Sequence, residues 1–349
     1  MSRSWDIIRN NRLTFFMILF ITLFYALTFF MERMERRSAS VSKTEKSELI
    51  VSSKEIKDKE SLFKKNIQGH PVFIIVTMLL FLMVLFCGFL TDVYLFNKRL
   101  KGIPLVSGGM LHETVTWGVK EVCQVFIFLF FMETVILLLE YLTGYFLDLR
   151  KFEKHLFLML NSFLRDIAAA GFVIFLVTRC FGQKLSTIGL TTKNFIKNIQ
   201  TGILGYVAVI PAILVVLFVL SAAAQKFSYE PPVQPVVQLY LKEKGGAALL
   251  FFTVFVAVVG PVIEEIFFRG FTYKAFRQRF GVWGALVATS VIFSGLHMSL
   301  IAFIPIFLLG FFLAYLYEQT GSLVPSMTAH MLHNLIMVSM TMVFKKFAG

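Results

Sequence analysis

The chain has 349 residues, 57% of them hydrophobic, and a mean hydropathy of +0.75. That apolar load excludes an ordinary soluble domain and implies a protein that crosses the membrane several times. The net charge of +13, from 34 Lys and Arg against 21 Asp and Glu, would suggest nucleic acid in a soluble protein. Here it falls in loops between spans, where it sets orientation, so no nucleic-acid partner is expected.

Apolar runs near span length lie at 13–31, 72–91, 122–142, 156–178, 201–222, 247–267, 282–298, 301–317 and 324–343. They predict an all-α bundle of eight or nine membrane segments. The first run is too long for a signal-peptide core and is not followed by a small-x-small cleavage site, so it reads as a retained span. Residues 32–70 are rich in Ser, Lys and Glu and read as a solvated, partly helical or disordered excursion. This suggests three parts: 1–70, accessory helices over 71–240, and a functional core over 245–343. Cys87, Cys123 and Cys180 show no metal spacing, which argues against a disulfide framework and a structural zinc site. Arg165-Asp166 interrupts the fourth run and reads first as a structural ion pair.

Basic residues mark every second loop: Arg3, Arg9 and Arg12; Lys98, Arg99 and Lys101; Arg179, Lys184, Lys193 and Lys197; Lys274, Arg277 and Arg279. These loops and the N-terminus are therefore expected in the cytoplasm. Nine full crossings would leave Lys345 and Lys346 outside, so one late segment is expected to be short or re-entrant, beside a buried or wet site.

Two adjacent glutamates, Glu264 and Glu265, stand inside an apolar segment, where an unpaired carboxylate costs several kcal/mol. Glu265 and Arg269 are i and i+4 and share a helix face. Glu264 is turned about 100° from Glu265 and is free to face a cavity. A turn at Gly281 would bring Glu264 level with His297 on a neighbouring antiparallel helix. His330 and Asn334 share one face of the last segment, and His333 points elsewhere. The depth of His330 is left open by spacing alone.

A carboxylate in apolar surroundings holds its proton more tightly than one in water and can serve as a general base near neutrality. A nearby His can position the water, and a second His with an Asn amide can stabilise an oxyanion. This combination suits a water-activating hydrolase without a Ser or Cys nucleophile.

The motifs Glu264-Glu265-x-x-x-Arg269, Phe293-x-x-x-His297 and His330-x-x-x-Asn334 together resemble the CAAX protease and bacteriocin-processing family, which includes the type II CAAX prenyl endopeptidase. The resemblance spans about 245–343. A Gly189–Asn194 element before a span is also common among similar proteins. The resemblance implies an intramembrane glutamate-dependent endopeptidase of peptides or proteins, lipidated or not, in a bacterial plasma membrane. Glu264 and His297 would activate water, and His330 and Asn334 would form the oxyanion site. Glu265, Arg269 and Phe293 would support them, with no cofactor.

Three alternatives stay open. A zinc protease would use Glu264, His297 and His330 as ligands. A non-catalytic bacteriocin self-immunity protein could use the same fold. An ion- or proton-coupled transporter could join Glu133, Glu140, Arg165 and Asp166 to Glu264 in a relay.

Overall fold

In a computed structural model the chain is described over residues 11–38, 53–102, 114–146, 154–229, 235–243 and 245–348. Arg3, Arg9 and the 39–52 part of the polar excursion lie outside these residues, and Glu140 lies outside the described side chains. Each predicted apolar run is helical, and no strand occurs among the described residues. The helices are α1 (Asn11–Ser38), α2 (Ser53–Gln68), α3 (Pro71–Leu100), α4 (Val119–Phe146), α5 (Lys154–Phe175) and α6 (Phe195–Lys226). They continue with α7 (Pro235–Lys242), α8 (Gly246–Val254), α9 (Gly260–Glu265), α10 (Lys274–Gly295), α11 (Leu300–Thr320) and α12 (Leu323–Ala348).

Among the described residues, six helical stretches are long and apolar enough to cross a membrane: Pro71–Leu100, Val119–Leu139, Phe195–Lys226, Gly246–Gly295, Leu300–Thr320 and Leu323–Ala348. This is an integral membrane protein built as a helical bundle. The run 247–267 and residues 282–295 of the next run lie within one of these stretches, which doubles back at Gly281. There φ is 70° and ψ is −176°, a region open essentially to Gly alone.

The short or re-entrant late segment is not α11 or α12, which run 21 and 26 residues. The short one is the arm of α10 from Gly281 to Gly295. Two π-helical stretches, Phe255–Val259 and Ile266–Tyr273, bracket α9. Such wide turns recur at functional sites.

The chain forms two compact units. In the first, α1 packs on α4, with Phe20 and Phe131 meeting edge to face at 5.2 Å. Phe128 stacks on Phe172 of α5 at 4.2 Å. Arg165 bonds Glu133 and lies 3.6 Å from Asp166. The interrupting pair is thus part of an ion triad within this unit.

In the second unit α12 packs against α2, α6, α7, α9 and α11. The polar excursion contributes α2, which docks Phe63 on Phe344 and Phe347 of α12, and Asn66 donates to Phe347 O at 2.9 Å. Pro211 leaves the carbonyl four residues earlier in α6, that of Val207, without its helical donor. Gly88 of α3 packs against that carbonyl, where a Cβ would stand at 2.8 Å. A loop at 185–189 is tied to α12 by the Leu323 amide, which donates to Gly189 O at 2.9 Å. In the Gly189–Asn194 element, Gly189 and Asn194 both adopt positive φ, 84° and 55°. Asn is among the few non-Gly residues enriched there.

Gly189 meets Tyr317 and Gly321, and Gly270 meets Ile188 and Leu323, so the nearby basic residues Lys193, Lys274 and Arg277 lie toward one end of the second unit. At that end Arg277 makes a forked pair with Glu318, at 2.8–3.0 Å, and the Tyr273 hydroxyl also donates to Glu318 at 3.0 Å.

The α6–α12 contact depends on Gly202, where a Cβ would lie 2.5 Å from Pro325 O and 2.8 Å from Thr328 Cβ. Backbone cannot yield as a flexible side chain can. Gly202→Ala should therefore destabilise the protein by about 1–3 kcal/mol despite Ala's higher helix propensity. Gly246→Ala, with nothing within 4 Å of the new Cβ, should not. Unfolding in detergent micelles, compared for the two variants, checks this.

Candidate active site

The site grows from the end of α9. Adjacent positions on a helix diverge by about 100°, and the two glutamates differ accordingly. The Glu265 side chain is 0% exposed and that of Glu264 is 38% exposed. A fully buried carboxylate requires charge and hydrogen-bond partners. Glu265 Oε1 accepts from Arg269 Nη1 and from His330 Nδ1, each at 2.9 Å. Arg269 is 1% exposed and donates from Nη2 to Gly310 O of α11 at 2.9 Å. Its guanidinium also lies 4.6 Å from the centre of the Phe293 ring, a favourable cation–π distance.

Phe293 is the apolar centre of the site. Its ring lies 4.9 Å from His297, 5.8 Å from His330 and 5.1 Å from Phe268, centre to centre. The turn at Gly281 makes this possible, because Arg269 and Phe293 stand equal numbers of residues on either side of it. Gly310 admits the ring: a Cβ there would be 3.0 Å from Phe293 Cδ1. The depth of His330 is settled in the same way. Gly310 and His330 lie at nearly equal distances from the turn at Gly321, so both reach the level of Arg269 and Glu265.

The partners fix both imidazoles. A carboxylate paired with a guanidinium accepts, so His330 Nδ1 carries the hydrogen and Nε2 is presented outward. That Nε2 lies 3.7 Å from Glu264 Oε2, a buried atom with no hydrogen-bond partner. His297 donates from Nδ1 to Phe293 O at 2.8 Å and likewise presents Nε2. His297 is exposed, in the turn between α10 and α11. Among the described residues no hydrogen bond joins Glu264 to His297.

Asn334 does not share a partner with His330. Its Nδ2 donates to Val256 O at 2.9 Å, within the first π-helical stretch. His333 turns aside as expected and meets the Tyr206 hydroxyl at 3.2 Å. Tyr206 and the carbonyls of Val256 and Gly310 carry no sequence signal of a site. Among the described residues, no three His, Cys, Asp or Glu side chains form a metal-binding group.

Buried carboxylate and imidazole groups within a helical membrane bundle define a membrane protein with a polar centre suited to proton transfer. Residues 246–336 match the family model "Type II CAAX prenyl endopeptidase Rce1-like", so the resemblance carried by the three motifs holds at the family level. The chain is also 32% identical over 84 residues to the Bacillus subtilis (strain 168) protein named "Putative membrane peptidase YdiL". That alignment covers 24% of this chain and 34% of the relative, so the chain spans about a third of that relative's length. No solved structure matches significantly.

The Glu265–Arg269 pair is the structural half of the site. Arg269→Ala should cost about 3–5 kcal/mol, since it strands a buried carboxylate. Glu264→Gln, at the exposed half, should stay within about 1 kcal/mol of wild type. Unfolding in detergent distinguishes the two.

Proposed function

We propose that the chain is an intramembrane endopeptidase in which Glu264 activates water for attack on a peptide carbonyl. The observation that best supports this is the position of His330, with Nδ1 tied to Glu265 and Nε2 aimed at Glu264 across 3.7 Å. That separation is long for a hydrogen bond and suits a bridging water.

In this reading Glu264 takes a proton from water as the oxygen bonds to the carbonyl carbon. His297, anchored on Phe293 O, steers the water with Nε2. His330 donates from Nε2 to the oxyanion when that nitrogen carries a proton as well as Nδ1, a charge that Glu264 and Glu265 together offset beside Arg269. Asn334 spends one amide hydrogen on Val256 O, which steadies α12, and keeps a second for the oxyanion. Glu264 then returns its proton to the departing amine as the C–N bond breaks, leaving a carboxylic acid and an amine.

The substrate is a peptide or protein delivered within the bilayer, lipid-anchored or membrane-inserted. Residues 281–317 contain no Asp, Glu, Lys or Arg. The α10–α11 turn exposes Leu296, Met298 and Leu300, at 47%, 92% and 83%. The arm of α10 from Gly281 to that turn rises about 21 Å, short of the roughly 30 Å hydrocarbon core. His297 therefore opens at a depth that lipid chains reach. By the positive-inside rule the basic end of the second unit faces the cytoplasm of a bacterial plasma membrane, with the N-terminus on the same side.

The test is turnover of fluorogenic prenylated, acylated and unmodified peptides by protein in nanodiscs. Glu264→Gln and His297→Ala should each lower kcat by about 10²–10⁴-fold, with a chelator having no effect. Loss on chelation with recovery on zinc would make this a metalloprotease. A self-immunity phenotype that survives Glu264→Gln, without turnover, would make it non-catalytic.

A further inference from the structure

His330 and Asn334 face the site from one side of α12, but His333 is engaged on its flank. Its Nδ1 lies 3.2 Å from the Tyr206 hydroxyl. The two rings meet edge to face with centres 5.9 Å apart. Tyr206 belongs to α6, outside the matched residues 246–336. It is 5% exposed, in an apolar cluster with Ile213, Leu309, Leu313, Leu316 and Ala329. Among the described residues no hydrogen bond joins either member of the pair to the groups assigned to the reaction, and without His333 the buried Tyr206 hydroxyl would lack this partner.

Three residues advance an α-helix by about 300°, so His330 and His333 diverge by about 60° around the axis. Bonds from His330 to Glu265 and from Asn334 to Val256 hold one face of α12. The bond from His333 to Tyr206 holds the adjacent face and opposes roll of the helix about its axis. A roll of about 10° would move an imidazole tip, about 6 Å from the axis, by about 1 Å. A misplacement of that size is enough to matter at the 3.7 Å approach of His330 Nε2 to Glu264.

We infer that Tyr206 is a positioning residue of the site, acting through His333 to set the rotation of α12 and so the aim of His330 at Glu264. As a claim about catalysis this rests on the proposed endopeptidase reading. As a claim about geometry it does not.

The experiment pairs two readouts on the full chain in nanodiscs: kinetics on the peptide panel, and imidazole ¹⁵N NMR with the His330 signals assigned by His330→Gln. Tyr206→Phe keeps the ring and its packing and removes only the hydroxyl. It should shift the His330 signals and lower kcat by about 10- to 100-fold, with KM unchanged. His333→Leu should reproduce both effects, and the double variant should be no worse than either single one. His333→Gln, whose amide can still engage the hydroxyl, should restore most of kcat. The inference is overturned if Tyr206→Phe leaves the His330 signals in place, or if kcat per folded molecule is unchanged and only the folded fraction falls. Should the wild type cleave none of the peptides, the NMR readout decides alone. A His330 shift would then uphold the positioning link while the endopeptidase reading fails, and no shift would sink the link as well.

Discussion

A carboxylate and a guanidinium, Glu265 and Arg269, are sealed between helices with 0% and 1% of their side chains exposed. Leaving either charge without its partner in such a place costs several kcal/mol. An ordinary hydrogen bond contributes about 1 kcal/mol net, so satisfying this pair outranks any single neighbouring contact. The arrangement follows from that demand. Arg269 has donors to spare and takes the carbonyl of Gly310, which fixes α11. Glu265 has acceptor capacity to spare and takes His330 Nδ1, which fixes α12. Three helical arms converge on one ion pair, and the free nitrogen of His330 is left beside Glu264.

The parts of this centre legible in the sequence rest on side chains with fixed periodicity. The i, i+4 relation of Glu265 to Arg269 is met at 2.9 Å, even though the residues between them lie in π-helical geometry. The exposed and buried glutamates follow from the rotation between adjacent positions. Gly281 was readable as a turn because a glycine closing a basic stretch offers the backbone freedom a reversal needs. The remainder was hidden for a common reason. Asn334 is held by the carbonyl of Val256, Arg269 by that of Gly310 and the start of α12 by that of Gly189. A backbone carbonyl is the same at every residue, so no side-chain pattern announces which one will be used. The π-helical stretches are hidden similarly, since their apolar sequences read as ordinary span. The level of His330 depended on the placement of two turns together, which spacing within one helix does not supply.

Helices outside the matched segment serve this centre by letting α12 be approached closely. Gly202 brings the α6 backbone to Pro325 and Thr328 of α12, and Gly88 brings α3 against α6 at the carbonyl freed by Pro211. In hydrocarbon, where apolar surface gains little from meeting other apolar surface, helix association relies on such close packing and on polar contacts. Small residues on α3 and α6 thus do for the accessory helices what the ion pair does for the core.

A second ion pair explains why the centre keeps its register. Arg269 and Arg277 are eight residues apart, as are their partners Gly310 and Glu318 on α11. Two parallel helical segments joined at equal intervals, about 12 Å apart along the axis, cannot slide past one another without breaking both contacts at once. The π-helical stretch Ile266–Tyr273 lies between the two joints. Its widened turns would otherwise let the segment shift along α11. Glu318 is 7% exposed and accepts from both Arg277 and Tyr273, so the lower joint is saturated and rigid. The upper joint has the same fixed spacing but hands its remaining acceptor capacity to His330. The polar residues of this bundle therefore divide by position. Those at the basic end hold the register, and those midway along the helices convert that register into an imidazole aimed at a half-exposed carboxylate.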